Sequence, residues 1–174
     1  MLISLVGLPG VGKSTVGRRL ARRLDMSFVD CDAVLEQRFG RPLRAVFETD
    51  GEPRFRDAEA SLLGELVQGD ETVIATGGGA VLRPSSRELL RTRTACVYLC
   101  AAPEALFHRM RRDAKRPLLQ VADPQARLRE LFAEREPLYR EAATAVVETR
   151  GRTLEMIVDA IDAAVSSKAR RGEP

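Results

Sequence analysis

Apolar residues in this chain gather into short dense runs, and the longer stretches between them repeat with helical periodicity. Leu2-Ile3-Ser4-Leu5-Val6 is the first run and residues 95–100 form another, and neither alternates between apolar and polar. A strand without alternation is covered on both faces, as in a parallel sheet packed between helices. Shorter strands are predicted at 27–30, 72–75 and 143–147. Helices are predicted at 11–24, 31–39, 42–49, 53–67, 84–91, 103–110, 124–140 and 153–165. Gly40 stops the second of these, and Pro103 opens the sixth at its first turn. Arg18, Arg19, Arg22 and Arg23 form the solvated basic face of the first. Strands alternating with helices, and no hairpin signals, predict an α/β fold: a three-layer sandwich with a five-stranded parallel sheet, its ligands held at the carboxyl ends of the strands. Residues 1–165 read as one domain, without repeats or linkers. Residues 111–121 are charged, weakly periodic and interrupted by Pro117, and read as a mobile segment; residues 166–174 read as a flexible tail.

Composition narrows the function classes. A chain of 174 residues, 44% hydrophobic and 30% charged, suits one soluble domain with a sizeable core. Trp is absent and aromatics are sparse, so the core is expected to be Leu, Val, Ala and Ile. A net charge of +3, with arginines dispersed along the chain, does not argue for nucleic acid. No apolar run reaches the roughly 18 residues of a membrane span. The N-terminus enters a strand at once, so no signal peptide is expected. Cys31, Cys96 and Cys100 are odd in number and lack C-x-x-C spacing; Cys96 and Cys100 sit in an apolar run and read as buried thiols, and a reduced, cytoplasmic setting fits.

Residues Gly7 to Thr15 read G-L-P-G-V-G-K-S-T, directly after the first strand and ahead of the first helix. This is the phosphate-loop pattern in its strand–turn–helix context. The turn leaves backbone N–H groups pointing inward, and the helix aims its positive dipole end at the same hollow. Gly10, Val11, Gly12, Lys13, Ser14 and Thr15 are therefore the candidate phosphate contacts. Lys13 reaches the β- and γ-phosphates, and Ser14 offers a hydroxyl to Mg²⁺. A turn that binds nothing would not need Lys-Ser after its last glycine. The motif specifies a nucleoside triphosphate and leaves the acceptor open.

Each later strand is followed by chemistry at the same edge. After the second comes Asp30-Cys31-Asp32. One carboxylate can hold Mg²⁺ through water while the other accepts from a substrate hydroxyl; either alone can equally cap a helix. After the third comes Gly77-Gly78-Gly79, which suits either a close backbone approach to a ligand or a flexible turn. No Asp stands at that strand end, so metal duty falls on Ser14 with Asp30 or Asp32. Arg56 and Glu59 lie three apart on a helix near Arg54; the pair either orients a guanidinium for an anionic acceptor or is an ordinary surface pair. Arg135 poses the same choice. In Lys115-Arg116-Pro117, Arg116 suits a lid closing on the γ-phosphate, against a merely solvated loop. Arg109 precedes that segment and can contact the donor phosphates, while His108 reads as a helix-surface residue.

Taken in order, G-L-P-G-V-G-K-S-T, F-V-D-C-D, G-E-P-R-F-R-D-A-E, T-G-G-G-A-V, K-R-P-L-L and E-R-E-P-L-Y resemble the shikimate kinase family, P-loop kinases of the nucleoside monophosphate kinase-like group. The resemblance spans residues 1–164. It implies ATP- and Mg²⁺-dependent phosphorylation of the 3-hydroxyl of shikimate, a step in aromatic amino-acid synthesis, by a monomer with no nucleic-acid or membrane partner. It implies substrate-binding helices over about 31–60 and a lid over about 111–122. Asp32 would hold shikimate hydroxyls and act as base; Arg56, Arg135 and the backbone of Gly77, Gly78 and Gly79 would take the carboxylate and ring hydroxyls. Ser14 and Asp30 would serve Mg²⁺, Arg116 would be the lid arginine, and Arg109 a nucleotide contact. The adenine loop would fall at 150–153, with Arg152 as a candidate contact. The lid of this chain is more charged than the family pattern of glycine or asparagine. Two rival readings are a kinase for gluconate or a nucleoside monophosphate, disfavoured by D-x-D and G-G-G, and a non-catalytic ATP-sensing module, disfavoured by the complete set of candidate residues.

Overall fold

The computed structural model of this chain describes residues 1–111 and 121–171, the last four by backbone alone. Its centre is β1 (Leu2–Val6), buried at every position. Parallel neighbours flank β1 on both sides: β3 (Thr72–Ala75) and β4 (Ala95–Cys100). The remaining strands, β2 (Ser27–Asp30) and β5 (Ala145–Glu148), complete the sheet in the order β2-β3-β1-β4-β5, parallel throughout. Register pairs Leu2 with Thr72, Val29 with Ile74 and Cys100 with Glu148. The strand ends that carry Asp30, Thr76 and Gly7 therefore emerge together. The one polar residue of β1, Ser4, is fully buried and shares a 2.7 Å hydrogen bond with the Thr94 hydroxyl, so no orphaned hydroxyl is left in the core.

The chain leaves β1 through α1 (Lys13–Leu24) toward β2 on one side and returns through later helices to β4 on the other. Right-handed crossovers in opposite directions place the connecting helices on opposite faces of the sheet. On one face α1 packs against α8 (Leu154–Arg171); on the other, α5 (Pro84–Arg93) and α6 (Pro103–Met110) pack against α7 (Pro124–Ala142). Between β2 and β3 lie α2 (Cys31–Phe39), α3 (Leu43–Asp50) and α4 (Glu52–Leu66), a helical cap beside the strand ends.

Three departures from the sequence reading have physical causes. The first helix begins at Lys13 rather than 11, because Gly10 (φ 83°) and Gly12 (φ 104°) hold the left-handed turn the phosphate loop requires. β5 begins at Ala145 because the Ala143 N–H is spent closing α7 on the Tyr139 carbonyl. The last helix does not stop at 165 but runs to Arg171. Gly172 is the first residue after Val165 that opposes a helix. The core is mostly aliphatic as expected, with aromatic additions: Phe55 is buried, and Tyr98 and Tyr139 are fully buried and stack at 5.0 Å between ring centres. Cys31, Cys96 and Cys100 are buried, and none of them forms a disulfide. No helix of the described residues is long and apolar enough to cross a membrane.

Candidate active site

Two adjoining hollows open at the carboxyl edge of the sheet. The first, of about 300 Å³, is lined by the phosphate-loop residues Pro9, Gly10, Gly12, Lys13, Ser14 and Thr15, with Asp30, Asp32, Thr76 and Gly78 opposite. α1 begins there with no side chain capping it, so its first N–H groups stay available to an anion. Residue 10 must be glycine on two counts: its φ is positive, and a Cβ would stand 2.9 Å from Met110 Cγ. Lys13 is buried, and its ammonium donates to the Gly7 carbonyl at 2.7 Å and to the Leu8 carbonyl at 3.1 Å. Burial pushes its pKa down to about 8, against the pull of the Asp32 and Asp30 carboxylates. Val11 is buried and keeps its side chain out of the hollow; its carbonyl accepts from Arg109 Nη1 at 3.2 Å, which ties α6 to the loop.

The paired aspartates divide their work. Asp30 Oδ1 accepts from the Asp32 N–H at 3.1 Å and the Ala33 N–H at 3.4 Å, so Asp30 caps α2 while its carboxylate also borders the hollow. Asp32 sits in the first turn of α2 and faces Lys13 across the cavity. Burial pushes its carboxyl above the usual range, and Lys13 pulls the other way.

The second hollow, of about 160 Å³, lies between α3, α4, α7 and the turn after β3. Arg56, 13% exposed, donates from Nη1 to Glu59 Oε2 at 2.6 Å and from Nη2 to Glu52 at 3.1 Å. Its guanidinium lies 5.1 Å from the centre of the Phe55 ring and 5.8 Å from that of Phe47. Glu59 is buried, and desolvation pushes its carboxyl up while Arg56 holds it down. Arg135 completes the wall from α7. Glu59 Oε1 and Arg135 Nε are buried with no hydrogen-bond partner among the described residues. Buried polar atoms left open at a cavity wall mark where a polar ligand fits.

Gly77, Gly78 and Gly79 line this hollow, and the space their Cβ atoms would need is already occupied. A Cβ at Gly79 would overlap the Arg56 guanidinium, one at Gly77 would stand 2.9 Å from Asp32 Oδ1, and one at Gly78 would stand 2.9 Å from Pro9. Their φ angles are ordinary, so the requirement is close approach rather than turn geometry. Pro9, Asp32 and Gly78 line both hollows and form their common rim.

The structure thus gathers Gly10, Gly12, Lys13, Ser14, Thr15, Asp30 and Asp32 around one cavity and Asp32, Arg56, Gly77, Gly78, Gly79 and Arg135 around the next. Arg54 points elsewhere, exposed and paired with Asp50 at 3.3 Å. Arg152 is exposed in the β5–α8 turn, and it is Arg150 that lines a third cavity, of about 400 Å³, with Glu104 and the exposed His108. Arg116 lies outside the described residues, as does most of the expected lid. The sequence reading did not single out Phe47, Phe55 or Tyr139. Tyr139 follows Arg135 by four, the spacing that puts both on one helix face, and that signal was there to be used.

Comparison with known proteins identifies the family. A sequence model of the family described as shikimate kinase matches residues 9–166. A shikimate kinase of Paracidovorax citrulli is 52% identical over 162 residues, covering 91% of this chain and 88% of that protein. One of Nitrobacter winogradskyi is 49% identical, covering 98% of this chain and 79% of the other. A solved structure of the Acinetobacter baumannii shikimate kinase in complex with shikimate superposes with a TM-score of 0.90 at 41% identity, covering 96% of this chain and 93% of that one. A gluconokinase of Sinorhizobium meliloti, at 22% identity and a TM-score of 0.61, shares the fold alone. With a family model that matches residues 9–166 and relatives that match over nearly the whole chain, this protein belongs to the shikimate kinase family.

Proposed function

We propose that the first hollow takes the phosphates of ATP, that the second takes shikimate, and that the γ-phosphoryl passes to the 3-hydroxyl across the rim they share. The observation that carries this reading is that Asp32 lines both hollows. A residue in that position can touch a hydroxyl of one substrate while facing the terminal phosphate of the other. Transfer of this kind asks for positioning and charge neutralisation more than covalent chemistry. Lys13 and the open N–H groups of α1 neutralise the donor phosphates. Arg56 and Arg135 hold the acceptor carboxylate and hydroxyls with the N–H groups of the Gly-rich turn. Asp32 accepts the hydroxyl proton as the oxygen attacks. Arg109 supports the donor from the phosphate-loop side, and the 150–153 turn, with Arg152 or the cavity-lining Arg150, borders the nucleoside. Arg116 is assigned the lid role on its sequence alone.

The donor set fits Mg²⁺. Among the described residues no group of three His, Cys, Asp or Glu forms a metal cage. Mg²⁺ is commonly held by a hydroxyl, phosphate oxygens and water instead, with one or two carboxylates nearby. Ser14 would ligate it directly and Asp30 through water; the ion supplies neutralisation of phosphate charge. The described lining of both hollows comes from a single chain, so a monomer suffices as the working unit.

The test is turnover with ATP and a panel of acceptors. Shikimate should be phosphorylated and gluconate and nucleoside monophosphates should not; the reverse pattern would overturn the reading. A second expectation concerns Lys13. Its pKa of about 8 in the unliganded chain must rise when a polyanion arrives, so nucleotide binding at pH 8 should take up about half a proton per site. Calorimetric titrations in buffers of different ionisation enthalpy measure this directly. Equal apparent enthalpies in all buffers would place Lys13 away from the phosphates.

A further inference from the structure

The turn after β3 is held by three carbonyl hydrogen bonds of unequal origin. The Gly77 carbonyl accepts from the Ala80 N–H at 3.2 Å and the Gly79 carbonyl from the Leu82 N–H at 3.0 Å, both within the turn itself. The middle carbonyl, that of Gly78, accepts from the Tyr139 hydroxyl at 2.6 Å, 61 positions further along the chain. Tyr139 has little freedom to move: its side chain is fully buried on α7 and its ring stacks on Tyr98 with 25° between the planes. Arg135, one helical turn earlier on α7, lines the acceptor hollow together with Gly78 and Gly79.

We infer that Tyr139 is a positioning residue for the acceptor: its hydroxyl fixes the Gly78–Gly79 peptide plane, and α7 thereby holds that turn and the Arg135 guanidinium in one register. The inference rests on the reading that the second hollow takes shikimate. In a trans peptide the carbonyl and the following N–H point in opposite directions. With the Gly78 carbonyl tied to α7, the Gly79 N–H is turned away from Tyr139. Two adjacent glycines have no Cβ to resist rotation of the plane between them, so the turn cannot hold this orientation by sterics alone. Burial keeps the Tyr139 phenol above its usual titration range, so it remains a donor throughout the working pH range.

Tyr139→Phe keeps the ring stack and removes the hydroxyl, and with it both the bond to the Gly78 carbonyl and the interaction with the Arg135 guanidinium. The KM for shikimate should rise about tenfold, as expected when a buried carbonyl loses its partner. The KM for ATP should stay within about twofold, because the phosphate loop is untouched. An unchanged shikimate KM overturns the inference, and so does an equal rise in both KM values, which a purely structural role would give. A second measurement needs no substitution at position 139. The chain has two tyrosines, Tyr98 and Tyr139, so uniform 3-fluorotyrosine labelling gives two fluorine resonances, assigned by Tyr98→Phe. Shikimate added without nucleotide should shift the Tyr139 signal; an unmoved signal overturns the inference. The wild-type acceptor panel tests the underlying reading separately, since shikimate turnover by the unmodified chain does not depend on what Tyr139 does.

Discussion

Replacing Asp32 by Asn should lower kcat by about 10²–10⁴-fold, the range lost when a positioned proton acceptor is removed, while affinity for an inert ATP analogue stays nearly unchanged. The substitution is almost isosteric, so neither the wall of the cavity nor the start of α2 is disturbed; the cap on α2 belongs to Asp30. What is lost is a carboxylate that burial has pushed above its usual range, which brings it closer to the pH at which a base is most effective. A parallel loss of Mg²⁺–ATP affinity would assign Asp32 to the metal instead. The variant also carries an internal check. Asp32 is the strongest influence holding the Lys13 pKa up against burial. Without it the Lys13 pKa should fall below about 8, and the pH at which nucleotide binding takes up protons should fall with it. A titration shift without a rate loss would mean that Asp32 tunes Lys13 and does no proton transfer.

The parts of this site legible in the sequence are those set by local spacing. The phosphate loop is contiguous, and its glycines and Lys13 are dictated by a turn that sequence shows directly. The strands are legible because a strand buried on both faces has no polar alternation to disguise it. The Arg56–Glu59 pair is legible because three residues is one helical turn. What spacing does not show is which of two local roles a residue takes. Asp30 and Asp32 each fit a cap or a ligand, and only the observed bonds to the Asp32 and Ala33 N–H groups give the cap to Asp30. Long-range contacts were illegible for a further reason. The sequence reading takes Gly77, Gly78 and Gly79 as room for a ligand, whereas Arg56, Asp32 and Pro9 also crowd into that space from elements distant in the chain. The bond from Tyr139 to Gly78 crosses the molecule in the same way. At the C-terminus the helix end was illegible because Ser, Lys, Ala and Arg at 166–171 include no breaker and propagate a helix already nucleated against α1.

Arg56→Ala should damage both stability and acceptor binding, and the two losses can be separated. The Arg56 guanidinium is the countercharge of Glu59, whose side chain is 5% exposed. Removing one partner of a buried pair strands the other, at a cost of about 3–5 kcal/mol. For a chain of this size that is a fall in Tm of about 10 °C. The pH dependence has a definite sign. Burial already pushes the Glu59 carboxyl up and Arg56 pulls it down, so the substitution raises its folded-state pKa further above the unfolded value. A group of that kind stabilises the fold most below the unfolded pKa and loses its contribution as pH rises through the folded one. The Tm deficit of the variant should therefore be small near pH 4.5 and grow toward neutrality. Adding Glu59→Gln to Arg56→Ala removes the stranded charge and should recover most of the lost Tm. It cannot restore the guanidinium fork, so the shikimate KM should stay raised by at least about tenfold, as for loss of a charged hydrogen bond. If the double variant regained acceptor affinity together with Tm, Arg56 would be a partner of Glu59 and nothing more, and the anionic end of the acceptor would have to be held by Arg135 and the Gly-rich turn alone.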